Sequence, residues 1–350
     1  MLIDVHNHVM PAEILDMLRE DRGFGVRISG DQWTGAQHVP FTIVPSFFDP
    51  AAKIAEMDAN GIGSAIVSPP PPLFFYEVNG AAGTAFCAAD NEAMARFCRS
   101  APGRLRWLAN LPMQDPAAAA ELYREVAGQG CAGAAIGTSI AGRRLDEPVF
   151  AEFWAAAESA GRPVLIHPAF NEPHPALEPY YLQNVAGNPL ETTITAERLI
   201  CAGVLSRHPG LRLILLHGGG YLPYQAGRLA HACGVRPEIA VTADDVRRAF
   251  GQLYFDTITH DVAALRFLAE RVGVDHVLLG TDLPFDMAMR DPAGTLAGAF
   301  EDAAFTKVCS SNAARLFGLR PAAAGPAQAA PAPEGVNYKI SNPPNAVEPG

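Results

Sequence analysis

Short apolar runs alternate with segments of helical periodicity along most of the chain. The runs are rich in leucine and β-branched residues and do not alternate regularly with polar ones, as expected of parallel strands covered on both faces. They lie at residues 2–5, 65–68, 106–111, 134–138, 163–167, 211–217, 253–257 and 277–280. Eight strand–helix units are the number in a (β/α)₈ or TIM barrel, so the pattern predicts this α/β fold.

Helix boundaries are marked by ordinary start and stop signals. Asp49 and Asp115 each precede a proline, which is typical of an N-cap followed by the first helical residue. Gly61, Gly130 and Gly161 come where the corresponding helices are expected to end. These signals support regular strand–helix units rather than an irregular chain.

The chain is longer than a bare barrel, and two segments account for the surplus. Residues 10–48 contain several glycines and short β-type runs, and we expect them to form a small flap inserted after strand 1. Residues 320–350 are rich in Pro, Ala and Gly, and we expect a mobile tail or an arm that reaches a neighbouring subunit. The predicted barrel domain is therefore 1–319.

Charge narrows the choice of partners. The chain has 350 residues and a formal net charge of −11, which gives no electrostatic attraction to nucleic acid or to an anionic membrane. No apolar run approaches the ~20 residues that a membrane span needs. The first residues carry Asp4 and His6 where a signal peptide would have a basic region and an apolar core. We therefore expect a cytoplasmic protein.

Side chains suited to metal binding follow four of the predicted strands. His6 and His8 end the first strand as His-Asn-His, His167 ends the fifth, His217 ends the sixth and Asp282 follows the eighth. Side chains two apart on a strand point the same way, with Cα atoms roughly 6.5–7 Å apart. Because the carboxyl ends of barrel strands meet at one mouth, we expect these groups to meet there.

A divalent ion explains such a group best, because buried histidines and a carboxylate without an ion would leave costly unpaired polar atoms. His6, His8, His167 and Asp282 suit Zn²⁺ most closely, with Mn²⁺, Co²⁺ or Fe²⁺ as alternatives on the same ligands. The run 134–138 holds no lysine or glutamate that would bridge a second ion. We therefore expect one ion, which leaves His217 free as a general acid and base.

Six groups of residues together resemble one branch of a known superfamily. They are Ile-Asp-Val-His-Asn-His at 3–8, Phe-Asp-Pro at 48–50 ahead of Ile-Ala-Glu-Met-Asp at 54–58, Leu-Pro-Met-Gln-Asp-Pro at 111–116, Val-Leu-Ile-His-Pro at 164–168, His-Gly-Gly-Gly at 217–220 and Gly-Thr-Asp-Leu-Pro-Phe at 280–285. The combination resembles the aminocarboxymuconate-semialdehyde decarboxylase branch of the amidohydrolase superfamily, from residue 1 to about 318.

The resemblance implies a role for each residue that matches. By this resemblance, His6, His8, His167 and Asp282 are the metal ligands, and His217 is the catalytic histidine. Arg228 matches an arginine that reaches the substrate carboxylate in the neighbouring subunit, which implies a homodimer or a higher homo-oligomer. Phe285 matches an aromatic residue of the pocket wall.

Two departures from the branch affect the substrate pocket. The branch carries a second carboxylate-binding arginine in a Phe-Arg-Pro stretch, where this chain reads Gln-His-Val-Pro-Phe at 37–41. His38 is one candidate replacement, and Arg22 and Arg27 on the expected flap are others. The tryptophan that follows the strand-5 His-Pro in the branch is Ala169 here. His174, in the loop after strand 5, is a further candidate for contact with substrate.

The predicted reaction is a metal-dependent non-oxidative decarboxylation of an unsaturated or aromatic carboxylic acid in aromatic-compound catabolism. His217 would supply the proton at carbon, and Arg228 would hold a carboxylate. The alternative is a hydrolase of an amide, lactone or carbon–carbon bond, or a hydratase, that uses the same site with His217 or Asp282 as base. A catalytically silent binding or sensor protein on a barrel scaffold is the third class.

Overall fold

The computed structural model describes residues 1–20, 23–35, 38–169 and 175–319, and for His38 and Val39 the backbone alone. Residues 1–319 form one compact unit. The tail predicted at 320–350 lies outside the described residues. In the part of the chain that is described, no helix combines the length and the hydropathy needed to cross a bilayer.

Eight parallel strands form the centre of the molecule, in the order β1-β5-β6-β7-β10-β11-β12-β13. Backbone hydrogen bonds from Val5 N to Leu279 O (2.9 Å) and from His8 N to Leu283 O (2.8 Å) join the last strand segment to the first. The sheet therefore closes into the predicted (β/α)₈ barrel. The strands of the described residues are β1 (Leu2–His8), β2 (Val26–Ser29), β3 (Gln32–Gly35), β4 (His38–Thr42), β5 (Ile62–Ser68), β6 (Leu105–Asn110), β7 (Gly133–Gly137), β8 (Ser139–Ile140), β9 (Arg143–Arg144), β10 (Val164–His167), β11 (Leu213–Leu215), β12 (Leu253–Asp256) and β13 (Val277–Leu278).

Helices follow the barrel strands. Asp49 and Asp115 cap the helices that follow them, as predicted, because their carboxylates accept from the backbone N–H groups of Ala51 and Ala118. Gly61, Gly130 and Gly161 have φ of +68°, +96° and +61°, so the chain turns out of the helix at these points. The α-helices of the described residues are α1 (Ala12–Arg19), α2 (Pro50–Ala59), α3 (Gly80–Arg99), α4 (Pro116–Gly128), α5 (Ala151–Ala160), α6 (Asn188–Cys201), α7 (Val204–Arg207), α8 (Leu222–Val235), α9 (Ala243–Phe250), α10 (Val262–Val272), α11 (Pro292–Ala299), α12 (Asp302–Thr306) and α13 (Asn312–Leu316).

All eight predicted strands occur, but five end earlier than the apolar pattern indicates, three of them by one residue and β11 and β13 by two. β11 stops at Leu215, since Leu216 leads into a short 3₁₀ turn that begins at His217. β13 has two residues, because the chain beyond Leu278 leaves the regular ladder and bonds to β1 instead. The residues just past both strand ends, Leu216 and Leu279, are apolar because they are still buried. At these positions the apolar pattern therefore indicates burial and not strand structure.

Between β1 and α2 the chain adds a helix and a small antiparallel sheet. Strands β2, β3 and β4 pair in that order, and Trp33 at the centre is fully buried against Phe41, with ring centroids 5.6 Å apart. The β-type runs of the expected flap are thus present. Helix α1 is not predicted from the sequence, although it buries Ile14, Leu15 and Leu18 and packs against β2 and α3. That this segment acts as a flap stays a prediction.

Candidate metal centre

The barrel brings four of the predicted side chains together at the carboxyl-end mouth of its strands. His6 and His8 lie in β1, His167 is the last residue of β10, and Asp282 follows β13. One ligand atom from each lies within 4.8 Å of the others. The imidazole centroids of His6, His8 and His167 are 5.1–5.3 Å apart. All four residues are buried, with Asp282 the most accessible at 8%.

The outer ring nitrogens of these histidines are held by the surrounding barrel. His6 Nδ1 lies 2.6 Å from Asp256 Oδ2, and His167 Nδ1 lies 2.7 Å from Pro168 O, so each Nδ1–H donates. His8 Nδ1 lies 3.1 Å from Ser68 Oγ on the neighbouring strand. An Nδ1–H that donates outward leaves the Nε2 lone pair directed at the centre, which is the usual arrangement of a metal-ligating histidine.

The inner nitrogens lack the hydrogen bonds that buried polar atoms normally make. In the described part of the chain, Nε2 of His6 and of His167 are both buried without a hydrogen-bond partner. Asp282 Oδ1 lies 3.2 Å from His6 Nε2, but without hydrogen-bond geometry, and 3.1 Å from His8 Nε2. Orphaned buried acceptors are costly unless something fills the space between them. The donor set fits one divalent cation of the zinc or first-row type.

Burial and charge shift the pKa values of this group in opposite directions. Burial acts to raise the pKa of Asp282, but the charge of His6 and the hydrogen bond with His8 hold it well below its usual range. Burial acts to lower the pKa of His6, but Asp282 and Asp256 together raise it to about 10, so a cation that binds Nε2 has to displace a proton there. Burial, then the nearby imidazoles, lower the pKa of His167. A carboxylate thus stays ionised among the imidazoles.

Asp256, at the end of β12, connects this group to the rest of the mouth. The sequence allows it to orient a ligand or to cap the next helix, with the cap favoured. The prediction that Asp256 caps the next helix is wrong, because the N-cap of α10 is Asp261. Asp256 instead accepts from His6 Nδ1 with one oxygen, and from Gly218 N (2.7 Å) and Ile258 N (3.2 Å) with the other. It fixes the His6 ring and the loop after β11 at the same time.

His217 lies beside the four-residue group without belonging to it. Its ring centroid is 5.6 Å from that of His6 and 5.5 Å from that of His167. It lies past the end of β11 rather than on it, because φ is +55° at His217 and +63°, +76° and +63° at the three glycines that follow. A Cβ at Gly220 would lie 2.0 Å from Pro189 O, so glycine is required there. Such left-handed backbone at a non-glycine residue is strained and concentrates at functional sites.

The Nδ1 atom of His217 is buried and has no hydrogen-bond partner among the described residues. Burial lowers the pKa of this imidazole; the charge of Asp256 acts to raise it, and the charge of His6 acts to lower it further. A neutral ring with an unsatisfied nitrogen at a cavity wall is free to bond a ligand.

A cavity of about 390 Å³ opens onto His167, His217 and Asp282. Phe285 forms part of its wall and packs edge-on against His8, with ring centroids 5.3 Å apart. Arg290 also lines the cavity, and sequence reasoning missed it because it lies in a loop with no periodic pattern. Its one sequence signal is its place eight residues after Asp282.

Of the other predicted substrate contacts, those that the structure describes do not line the cavity of the single chain. Arg228 is exposed on α8 and does not line the cavity, and Arg27 is exposed on β2. The side chain of His38 lies outside the described part of the structure, as do His174 and Arg22. The roles expected of these residues stay predictions.

A closed eight-stranded barrel with three histidines and one aspartate buried at its mouth defines the class: a barrel protein with a candidate metal centre. The family model described as Amidohydrolase matches residues 3–319, so the chain belongs to the amidohydrolase family.

Known proteins resemble the chain over most of its length. It is 29% identical to the 2-amino-3-carboxymuconate-6-semialdehyde decarboxylase of Dictyostelium discoideum, over 91% of this chain and 92% of that one. It is 28% identical to the gamma-resorcylate decarboxylase of Rhizobium sp. (strain MTP-10005), over 87% and 95%. The crystal structure of 5-carboxyvanillate decarboxylase LigW from Sphingomonas paucimobilis superposes with a TM-score of 0.78 at 25% identity, covering 90% and 98%. These likenesses confirm the predicted family, barrel fold and enzyme class.

Proposed function

We propose that this protein is a metal-dependent, non-oxidative decarboxylase of an unsaturated or aromatic carboxylic acid in aromatic-compound catabolism. The observation that carries the proposal is the pair of orphaned, inward-facing Nε2 atoms of His6 and His167 beside Asp282, at the wall of a cavity. The curated relatives named above are decarboxylases, which supports the reaction type.

His6, His8, His167 and Asp282 would hold the ion, with zinc as the expected metal. A bound divalent ion supplies a Lewis acid that polarises an oxygen of the substrate. The three imidazoles are already oriented by hydrogen bonds to the surrounding barrel, so they need little rearrangement for binding.

His217 is the proposed acid and base. In the reaction the bond between the ring or chain carbon and the carboxylate carbon breaks, and the electron pair stays on the substrate carbon, where an adjacent unsaturated system delocalises it. Because its ring is neutral, His217 first takes up a proton from solvent, then donates it to that carbon and returns to the neutral form. Phe285 shields this side of the cavity from water, since its ring packs between His8 and the aromatic rings of Phe41 and Phe47.

A homodimer would complete the substrate site. Arg228 is exposed on α8, where an arginine is available to a second subunit, and a bidentate pair with a carboxylate suits its guanidinium. Tyr224, one turn earlier on the same helix, is 76% exposed, and the nearby Tyr221 is 42% exposed. An exposed aromatic surface around an arginine is typical of an interface.

The test is release of carbon dioxide from hydroxybenzoates, muconate semialdehydes and related acids by the metal-loaded protein. We expect gas release with at least one of these acids and none from the Asp282→Ala variant. A product that has gained water without gas release would instead support the hydrolase or hydratase. Metal binding without turnover across the panel would support a binding protein.

The shared site has its own test. Arg228→Ala is expected to raise KM and Asp282→Ala to be nearly inactive. Mixed dimers of the two should regain part of the activity, because one active site then has both intact residues. Mixed dimers without recovered activity would exclude a site shared between subunits.

A further inference from the structure

One cationic side chain lines the cavity. Arg290 is the single lysine or arginine among its described lining residues, and it shares the cavity with His217 and Asp282. Its side chain is 55% exposed, so the guanidinium lies at the open side rather than in the protein interior. Apart from Asp282, the other charged residue of the described wall is Asp286, which forms no ion pair with Arg290 within 4 Å.

The guanidinium is positioned without being neutralised. Nη2 donates to Phe285 O at 3.1 Å and more weakly to Pro284 O at 3.5 Å. Nη1 lies 3.8 Å from Glu56 Oε1, which is beyond hydrogen-bond distance. An arginine has five N–H donors, so most of those on Arg290 stay available.

Glu56 is held by hydrogen bonds from other residues, so its carboxylate is not free to move closer to Arg290. Lys53 Nζ donates to Glu56 Oε2 at 2.8 Å, and Ser46 Oγ donates to Oε1 at 3.0 Å. Lys53 is fully buried and also donates to Asn7 Oδ1 at 2.9 Å. The negative charge of Glu56 is thus already matched by Lys53, and Arg290 keeps a positive charge directed at the cavity.

We propose that Arg290 binds a second anionic group of the substrate, a carboxylate that the product retains, and thereby favours dicarboxylic over monocarboxylic acids. The inference rests on the proposed function, in which the carboxylate that is lost lies near His217. An arginine fork matches a carboxylate in two parallel hydrogen bonds, which gives both affinity and orientation. Within one subunit, the described wall of the cavity has no second lysine or arginine that could bind this carboxylate.

The experiment compares the binding of salicylate and of the isomeric carboxysalicylates to the metal-loaded protein by calorimetry. We expect the wild type to bind at least one carboxysalicylate more tightly than salicylate. Arg290→Gln should weaken the binding of that dicarboxylate by about 10- to 100-fold and change salicylate binding by less than about twofold. Arg290→Lys keeps the positive charge but lacks the planar set of N–H donors. Its affinity for the dicarboxylate should therefore lie between those of the wild type and Arg290→Gln.

Arg266→Gln is the matched control. Arg266 is also an exposed arginine that donates to backbone carbonyls, those of Gly298 and Ala299, and it lies away from the cavity. We expect this variant to bind both ligands as the wild type does. Equal losses for both ligands in Arg290→Gln, or a wild type that does not prefer any dicarboxylate, would overturn the inference.

Turnover separates this inference from the proposed function. For a dicarboxylate that is decarboxylated, Arg290→Gln should raise KM by about the same 10- to 100-fold and leave kcat nearly unchanged, because the contact is made equally before and during the reaction. If no acid of the panel releases carbon dioxide, the proposed function fails. The binding difference then still decides whether Arg290 recognises a second carboxylate.

Discussion

Replacement of Asp256 by asparagine should weaken metal binding although Asp256 contacts no ion. The carboxylate accepts hydrogen bonds on both oxygens, from His6 Nδ1 at 2.6 Å and from Gly218 N and Ile258 N at 2.7 and 3.2 Å. Asparagine has the same shape but one acceptor oxygen and one NH₂ group. It can therefore accept from His6 Nδ1, or from the backbone N–H groups of Gly218 and Ile258, but not from both.

Each orientation of the asparagine has a cost. If its NH₂ faces His6 Nδ1, the imidazole must accept there, which places the ring proton on Nε2 and blocks ligation. If its NH₂ faces Gly218 and Ile258, two backbone N–H groups lose their acceptor, at about 1–3 kcal/mol for each buried donor left unsatisfied. Outer-shell substitutions of this kind reduce metal affinity by about 10- to 100-fold, and we expect Asp256→Asn to fall in that range.

The assay is competition with a chelator of known affinity at neutral pH, with circular dichroism to show that the variant is folded. Asp90→Asn is the control, since Asp90 is equally buried and accepts from Asn110 Nδ2 at 2.9 Å on α3, outside the candidate metal centre. It should bind metal as the wild type does. The reasoning is refuted by Asp256→Asn binding metal within about twofold of the wild type, or by an equal loss in Asp90→Asn.

Three further predictions concern catalysis and stability. His217→Ala should keep its metal content and lose about 10²- to 10⁴-fold in kcat, and loss of the metal would make His217 a ligand instead. Lys53→Met should lower the free energy of unfolding in urea by about 3 kcal/mol, because Glu56 and Asn7 lose a buried partner, and a change below about 1 kcal/mol would contradict this. Burial raises the pKa of Asp90 to about 7, so the folded state holds its proton more strongly than the unfolded chain does and stability falls as pH rises from about 4 through 7. Asp90→Asn should therefore be more stable than the wild type at pH above 7, by about 2–4 kcal/mol, and the gain should disappear near pH 4; a gain that does not depend on pH would exclude this cause.

The barrel and the position of its mouth follow from the sequence because burial on both faces leaves a continuous apolar run in each strand. His6 and His8 could be placed on one side of β1 because the strand period of two is fixed by backbone geometry. Helix α1 could not be predicted with equal ease. Its buried residues Ile14, Leu15 and Leu18 occupy fewer than three turns, too short a segment for a helical period to stand out from the glycine-rich chain that follows.

The contacts around the site depend on partners that are remote in sequence. Asp256 could be placed at a strand end, but its bond to His6 joins residues 250 positions apart, and no local pattern identifies that partner. His217 could be placed near the mouth, whereas its left-handed backbone belongs to a loop in which Gly220 lies against Pro189, a residue that is remote in sequence. The cavity position of Arg290 likewise depends on the path of a loop, which is not set by hydrophobic periodicity.

The central claim is that one divalent ion binds between His6, His8, His167 and Asp282. Anomalous diffraction from crystals grown with zinc, with data collected on both sides of the metal absorption edge, tests it most directly. We predict one strong anomalous peak within coordination distance, about 2.0–2.2 Å, of three imidazole nitrogens and an Asp282 oxygen, with His217 outside this shell. A peak bound by other residues, or none in this group at saturating zinc, would contradict the account.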